Sequence, residues 1–121
     1  MAISKILVVD DSTVDLMNIK SIVADAGYVV ITAESGQEAI DKAEKEMPDL
    51  IFMDVIMQQM DGYQACREIT HNDQTKDIPI VFVTSKGQKA DRMWDEMQGG
   101  KSLVQKPYTP TQIIEQIDLL K

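Results

Sequence analysis

Three carboxylates stand at the ends of short apolar runs in the first half of the chain. Asp10 and Asp11 follow the first run, and Asp54 ends a later one. Runs of four or five apolar residues are too short for a buried helix and are typical of strands covered on both faces. The carboxyl ends of parallel strands share an edge, where ligands bind in open α/β sheets. Three carboxylates there would repel one another unless a cation or protons neutralised them, so the pattern indicates a metal-dependent acidic site.

Length and composition restrict the function that this site can serve. A chain of 121 residues has the commonest domain size, which predicts a single domain over residues 1–121 with no effector domain. The formal net charge of -8 argues against nucleic acid or insertion into an anionic membrane, because both partners are polyanions. Cys66 is the one cysteine, which excludes an internal disulfide and suits a reducing compartment. Neither a leader nor a long apolar segment is visible, so we expect a cytoplasmic protein.

Five strand patterns occur along the chain, and helix patterns separate them. The predicted strands cover residues 5–9, 28–33, 50–54, 78–83 and 102–105. This alternation indicates an α/β fold with a doubly wound, five-stranded parallel sheet. With right-handed crossovers, the flavodoxin-like strand order 2-1-3-4-5 puts the first and third strands side by side. Asp10, Asp11 and Asp54 would then meet at one edge. The fourth and fifth strands would add Thr84 and Lys106.

Capping residues mark the starts of the predicted helices. Ser12 and Asp15 have the spacing of a capping box, and Asp61 is placed to cap a helix. The five helices are predicted from Ser12 to about Ala26, from Ser35 to Pro48, from Asp61 to about His71, through Ala90, Met93, Trp94 and Met97 to Gly99, and from Thr109 through Leu120. In the second helix, Met47 is expected to face the sheet with the other apolar residues.

Four motifs at the predicted strand ends resemble the CheY-like response regulator receiver domains of two-component signalling. They are Leu7-Val8-Val9-Asp10-Asp11-Ser12, Met53-Asp54-Val55-Ile56-Met57 with Met60-Asp61-Gly62, Val83-Thr84-Ser85, and Gln105-Lys106-Pro107. Each motif is weak alone, but all four in this order form a specific signal. The stretches 62–65, 84–86 and 91–94 also resemble the PilH-type regulators of type IV pilus twitching motility.

The resemblance implies a phosphoacceptor signalling protein rather than an enzyme with a separate substrate. Asp54 would take a phosphoryl group from a histidine kinase, a phosphotransfer protein or a small acyl phosphate. The chain would thus catalyse its own phosphorylation and dephosphorylation. Asp11, Asp54 and the main-chain carbonyl of Ile56 would bind Mg²⁺, and Asp10 would hold one of its waters.

The resemblance also implies how the signal leaves the site. Lys106 would pair with Asp54 and then with the phosphoryl oxygens, and the bond to Pro107 is expected to be cis. Thr84 would move its hydroxyl towards the phosphate and report it to the face formed by the fourth helix, the fifth strand and the last helix. An output protein would dock there on a monomer, in pathways such as chemotaxis or type IV pilus motility.

Two positions depart from the family pattern, and other functions remain open. Gln58 stands where most relatives have proline, and Leu103 where an aromatic residue is usual. A haloacid dehalogenase type of phosphatase needs an acid two residues after Asp54, where this chain has Ile56. A flavin mononucleotide carrier needs a phosphate loop, which Asp10 and its acidic neighbour would repel. A phosphorylation-independent interaction module and a phosphate sink for a shared kinase are the remaining alternatives.

Overall fold

Five parallel strands form one sheet in the part of the chain that the computed structural model describes, residues 2–84 and 100–121. The strands are β1 (Lys5–Val9), β2 (Val29–Ala33), β3 (Leu50–Asp54), β4 (Ile80–Thr84) and β5 (Ser102–Gln105). The helices in these ranges are α1 (Thr13–Asp25), α2 (Gly36–Glu46), α3 (Gly62–Thr70) and the C-terminal helix (Pro110–Leu120). The helix predicted through Ala90, Met93, Trp94 and Met97 lies outside the described residues.

The strand order is β2-β1-β3-β4-β5, which confirms the predicted flavodoxin-like sheet. Val9 pairs with Met53, so the residues that follow them, Asp10 and Asp54, lie at the same level along the sheet. At the other side of the sheet, Thr84 pairs with Gln105. Strands β2 and β4 begin one and two residues later than the sequence pattern predicted. The register therefore brings the carboxyl ends of four strands to one edge.

Alternate strand residues pack against opposite faces of the sheet. On β1, Leu7 and Val9 belong to one core cluster, whereas Ile6 and Val8 belong to the other. Helices α2 and α3 cover the first face with Ala39, Ala43, Ala65, Cys66 and Ile69. Helix α1 and the C-terminal helix cover the second face with Leu16, Ile19, Val23, Ile113 and Ile117. Burial on both faces explains why the central strands read as continuous apolar runs.

Side chains cap the described helices at the predicted positions. Ser12, Ser35, Asp61 and Thr109 each accept a hydrogen bond from the backbone N–H three residues later. Thr109 forms a complete capping box with Gln112, and Gly27 follows α1 with a positive φ of 98°. These caps satisfy N–H groups that have no partner within their own helix. Among the described residues, no helix is long and apolar enough to cross a membrane.

Two predictions at helix ends are wrong. Met47 does not face the sheet, because α2 ends at Glu46 and the left-handed backbone of Met47 leaves its side chain largely exposed. The capping box predicted at the start of α1 is incomplete. Ser12 caps the helix, but its own N–H donates to Asp10, and the side chain of Asp15 pairs with Lys106.

The side chain of Asp49, just before β3, binds the backbone at the start of β1. Asp49 Oδ2 accepts hydrogen bonds from the backbone N–H groups of Ser4 and Lys5, at 2.9 and 3.0 Å. The Asp49 N–H in turn donates to the Lys5 carbonyl at 2.7 Å. Hydrogen bonds from the Lys5 and Ser4 amides lower the pKa of Asp49 below its usual 3.8. The ionised carboxylate thus stabilises the pairing of the two strands that carry the site.

We predict that Asp49→Ala lowers the free energy of unfolding by about 1 kcal/mol near neutral pH, because two amides lose their acceptor at a partly exposed position. The folded pKa lies below the unfolded one. The contribution of Asp49 is therefore complete above a pH of about 4 and is lost as the pH falls through the folded pKa. Urea unfolding of both proteins near pH 7 and near pH 3 checks this. A difference that is absent at pH 7, or as large at pH 3, would contradict it.

Candidate functional site

Three carboxylates converge at the carboxyl edge of the sheet. Asp10 and Asp11 follow β1, and Asp54 is the last residue of β3. One oxygen atom from each of the three lies within 4.8 Å of the others. Asp10 is 1% exposed and Asp54 is 6% exposed, whereas Asp11 faces solvent. The structure thus brings together the three acidic residues that the sequence singled out. Asp10 and Asp54 are buried, and Asp11 is exposed to solvent.

Backbone hydrogen bonds continue past the strand ends and hold these residues in place. The N–H of Asp10 donates to the Ala33 carbonyl at 3.1 Å, which extends the pairing of β1 with β2. Asp10 Oδ1 then accepts from the Ser12 N–H at 2.9 Å, where α1 begins. On the other side of Asp54, the N–H of Val55 donates to the Val83 carbonyl at 3.1 Å. Asp10 and Asp54 are therefore fixed by the sheet and by a helix start, and not by a free loop.

Lys106 supplies the positive charge at this edge. Its ammonium nitrogen lies 2.9 Å from Asp15 Oδ2, 3.1 Å from Asp10 Oδ2 and 3.3 Å from Asp54 Oδ1. Its backbone N–H donates to the Thr84 carbonyl at 2.6 Å, just beyond the last pair of β4 and β5. The Lys106–Pro107 bond is cis, as predicted. Among the described residues, four acidic side chains, including exposed Asp11, thus share a site with one ammonium.

Burial and charge shift the pKa values of the central groups. Burial, and next the charge of Asp10, raise the pKa of Asp54 to about 6, although Lys106 acts to lower it. Burial also raises the pKa of Asp10, against the opposing effects of the Ser12 N–H and of Lys106. Burial acts to lower the pKa of Lys106, but the hydrogen bond to Asp15 and the charges of Asp54 and Asp10 outweigh it and raise the pKa. Within residues 2–84 and 100–121, the ammonium of Lys106 therefore leaves much of the carboxylate charge uncompensated.

The loop after Asp54 folds back over the site. The backbone N–H of Gln58 donates to Asp11 Oδ2 at 3.1 Å, a hydrogen bond that a proline at this position could not make. A Cβ atom on Gly62 would lie 2.2 Å from the carbonyl oxygen of Asp54, so α3 can begin here only with glycine. The Ile56 side chain stands out from this loop and is 63% exposed. The loop thus holds Asp11 in place.

Other predicted residues lie close to the edge, and one partner of Lys106 was missed. Thr84 ends β4 and is buried, and Leu103 on β5 is partly buried against the core on the α2 and α3 side. The sequence pattern indicates only a capping role for Asp15, yet its side chain accepts a hydrogen bond from Lys106. Its position in the first turn of a helix that begins at the acidic edge is the feature that points to this contact.

Acidic residues and a lysine thus meet at the carboxyl edge of a five-stranded parallel sheet with the strand order 2-1-3-4-5. Residues 6–118 match the family model for the response regulator receiver domain. The chain therefore belongs to the response regulator receiver family of two-component signalling.

Relatives support this assignment over nearly the whole chain. Protein PilH of Pseudomonas aeruginosa is 32% identical over 115 residues, which are 95% of each chain. The structure of the Vibrio cholerae chemotaxis protein CheY4 matches with a TM-score of 0.94 at 30% identity, over 99% of this chain and 100% of that one. The receiver domain of the Pseudomonas aeruginosa sensor histidine kinase PA1611, which has a magnesium ion in its active site cleft, matches with a TM-score of 0.90 at 28% identity over 98% of both. The chain spans less than half the length, 42% and 45%, of two further relatives that are transcriptional regulators.

The donor set suits the Mg²⁺ that binds in receiver domains. Asp10, Asp11 and Asp54 present hard carboxylate oxygens, the ligand type that Mg²⁺ prefers. Their mutual repulsion is the reason that a divalent cation would be bound here, since Lys106 alone does not neutralise them. The chemistry of the residues therefore fits the metal.

We predict that Asp54→Asn raises the free energy of unfolding by about 1–3 kcal/mol near pH 7.5 in EDTA, because it removes a buried charge whose pKa is raised. The folded pKa, about 6, exceeds the ordinary value of 3.8. Wild type therefore loses stability as the pH rises through about 6, and the advantage of the variant should shrink towards pH 4. Urea unfolding over this range measures it. Asp11→Asn is the matched control. Its free energy of unfolding should rise less, because Asp11 is exposed.

Proposed function

We propose that the protein is a response regulator that accepts a phosphoryl group on Asp54, in a Mg²⁺-dependent reaction in the cytoplasm. The donor would be a phosphohistidine on a histidine kinase or on a phosphotransfer protein. The observation that carries this proposal is the nearly buried Asp54 carboxylate, held between two further carboxylates and the ammonium of Lys106. The PilH relative, which aligns over 95% of both chains, supports a role in pilus or chemotactic signalling.

During transfer, Asp54 would be the nucleophile and Lys106 the cation that pairs with it. An oxygen of Asp54 forms a bond to phosphorus while the bond from phosphorus to the donor nitrogen breaks, and the electron pair leaves with the imidazole. Asp54 must be ionised to attack, and the charge of Lys106, 3.3 Å from Oδ1, favours that form. After transfer, the same ammonium would pair with the phosphoryl oxygens. Lys106 thus serves both the free and the phosphorylated state.

Two carboxylates and one main-chain carbonyl would hold the metal in this proposal. Asp11, Asp54 and the main-chain carbonyl of Ile56 are the proposed ligands, and Asp10 would hold a metal-bound water. When bound, Mg²⁺ offsets negative charge on the transferring phosphoryl group. The hydrogen bond from Gln58 to Asp11 would keep the exposed ligand oriented before the metal arrives.

Output would pass through the end of β4 to a separate protein that docks on the monomer. Thr84 is buried beside the site, and its carbonyl accepts from the N–H of Lys106. A movement of the Thr84 hydroxyl towards the phosphate would therefore act next to the backbone of β5. The proposed docking face includes β5 and the C-terminal helix. The fourth predicted helix, which would complete this face, lies outside the described residues.

We predict that a small acyl phosphate with Mg²⁺ adds one phosphoryl group to the wild-type protein. Positioning and charge compensation are the main demands of this transfer, and the acidic site supplies both. Intact-mass spectrometry measures the adduct. Asp54→Ala should take up none, and excess EDTA should suppress the adduct in wild type.

A full adduct on Asp54→Ala, or an undiminished one in EDTA, would refute the assignment of Asp54. Asp49→Ala is a matched control, because it removes a carboxylate at the opposite end of β3 and should leave the adduct unchanged. Profiling of phosphotransfer from the kinases of the host at short times would identify the donor. It would also separate a phosphoacceptor from a phosphorylation-independent interaction module.

We further predict that the aspartyl phosphate of the isolated protein decays slowly and that Ile56→Asn shortens its lifetime. Hydrolysis needs a water molecule in line with the phosphorus, and the isoleucine two residues after Asp54 has no polar group to orient it. The Ile56 side chain is exposed on the loop that follows Asp54. Lys86, two residues after Thr84, would cover the phosphoryl oxygens with its charge, but it lies outside the described residues. Decay after removal of the donor, in saturating Mg²⁺, compares the two proteins. An asparagine variant that decays no faster would show that Ile56 does not protect the phosphate.

A further inference from the structure

We propose that Asp15 is a positioning residue that competes with a phosphoryl group on Asp54 for the ammonium of Lys106. This inference rests on the proposed phosphorylation of Asp54. Lys106 Nζ lies 2.9 Å from Asp15, 3.1 Å from Asp10 and 3.3 Å from Asp54. Asp15 and Asp10 accept hydrogen bonds from this ammonium, and Asp54 forms an ion pair with it. Because an ammonium has three N–H donors, the oxygens of a phosphoryl group on Asp54 can take more than one of them only if Asp15 or Asp10 gives one up.

Asp15 is the partner that Lys106 can leave at the lowest cost. Its side chain is 44% exposed, whereas those of Asp10 and Asp54 are 2% and 8% exposed. Water can replace the ammonium at an exposed carboxylate but not at a buried one. Asp15 also lies on α1, outside the group of three carboxylates whose oxygens could share a metal ion. Its contact with Lys106 can therefore break without disturbing that group.

The contact with Asp15 favours the unphosphorylated state. Phosphoryl transfer from an acyl phosphate forms a P–O bond to Asp54 as the P–O bond to the acyl oxygen breaks, and the carboxylate leaves with the electron pair. The new phosphoryl oxygens then draw Lys106 from Asp15. Without Asp15, Lys106 is free to stabilise the phosphorylated state, the transition state or both. Faster formation or slower loss of the phosphate has the same result, which is a larger phosphorylated fraction at steady state.

The experiment measures the ratio of phosphorylated to unphosphorylated protein by intact mass, at a fixed, subsaturating concentration of a small acyl phosphate in saturating Mg²⁺. Asp15→Asn should raise this ratio about two- to fivefold, the range expected for a half-exposed ion pair. Asp15→Glu keeps the charge on the same helix turn and should stay near the wild-type ratio. Asp25→Asn is the matched control for net charge. It removes an exposed carboxylate at the far end of α1 and should leave the ratio unchanged.

A double-mutant cycle tests whether Asp15 acts through Lys106. In a Lys106→Ala background, Asp15→Asn should change the ratio no further. If that background takes up no phosphoryl group, the contrast between Asp15→Glu and Asp15→Asn decides.

Three outcomes would overturn the inference: an unchanged or lower ratio for Asp15→Asn, an equal rise for Asp25→Asn, or an equal rise without Lys106. A wild-type protein that accepts no phosphoryl group would instead refute the proposed function. One that is phosphorylated but insensitive to Asp15 would refute this inference alone.

Discussion

Repulsion between carboxylates at close range is the constraint on which this site depends. Asp10, Asp11 and Asp54 present oxygens within 4.8 Å of one another, and two of these residues are almost fully buried. In a medium less polar than water, such charges cost free energy unless they are paired. Lys106 compensates part of this charge, and Asp15 takes a share of the same ammonium. The carboxylates thus keep excess negative charge, which a divalent cation can neutralise.

The fold keeps these carboxylates close together by fixing their backbone, and not by packing of the core alone. Register between β1 and β3 sets Asp10 and Asp54 at the same level, and the cap of α1 orients Asp10 further. Gly62 lets α3 begin in contact with the backbone of Asp54, where any side chain would collide with the carbonyl oxygen. Groups that repel one another stay together because β1 and β3, which carry them, are both held by the same two hydrophobic core clusters.

Local patterns in the sequence predicted most of the fold. Short apolar runs identified the strands, and Ser35, Asp61 and Thr109 identified helix starts, because a cap depends on residues within one turn. Strand-end positions also predicted which carboxylates would meet. Two features could not be predicted in this way. Met47 lies at a helix end whose backbone conformation depends on the residues that follow, and Asp15 turned to a partner that is 91 positions away in the chain.

If the carboxylates and Lys106 form one electrostatic unit that a divalent cation completes, Mg²⁺ must bind to the metal-free protein. Calorimetric titration measures this binding. We expect one bound ion, with an affinity that falls as the pH is lowered through about 6, where Asp54 takes up a proton. Asp11→Ala should bind far more weakly, and Asp49→Ala should bind as wild type does. No binding, or binding of equal strength to Asp11→Ala, would show that the three carboxylates do not form a metal site.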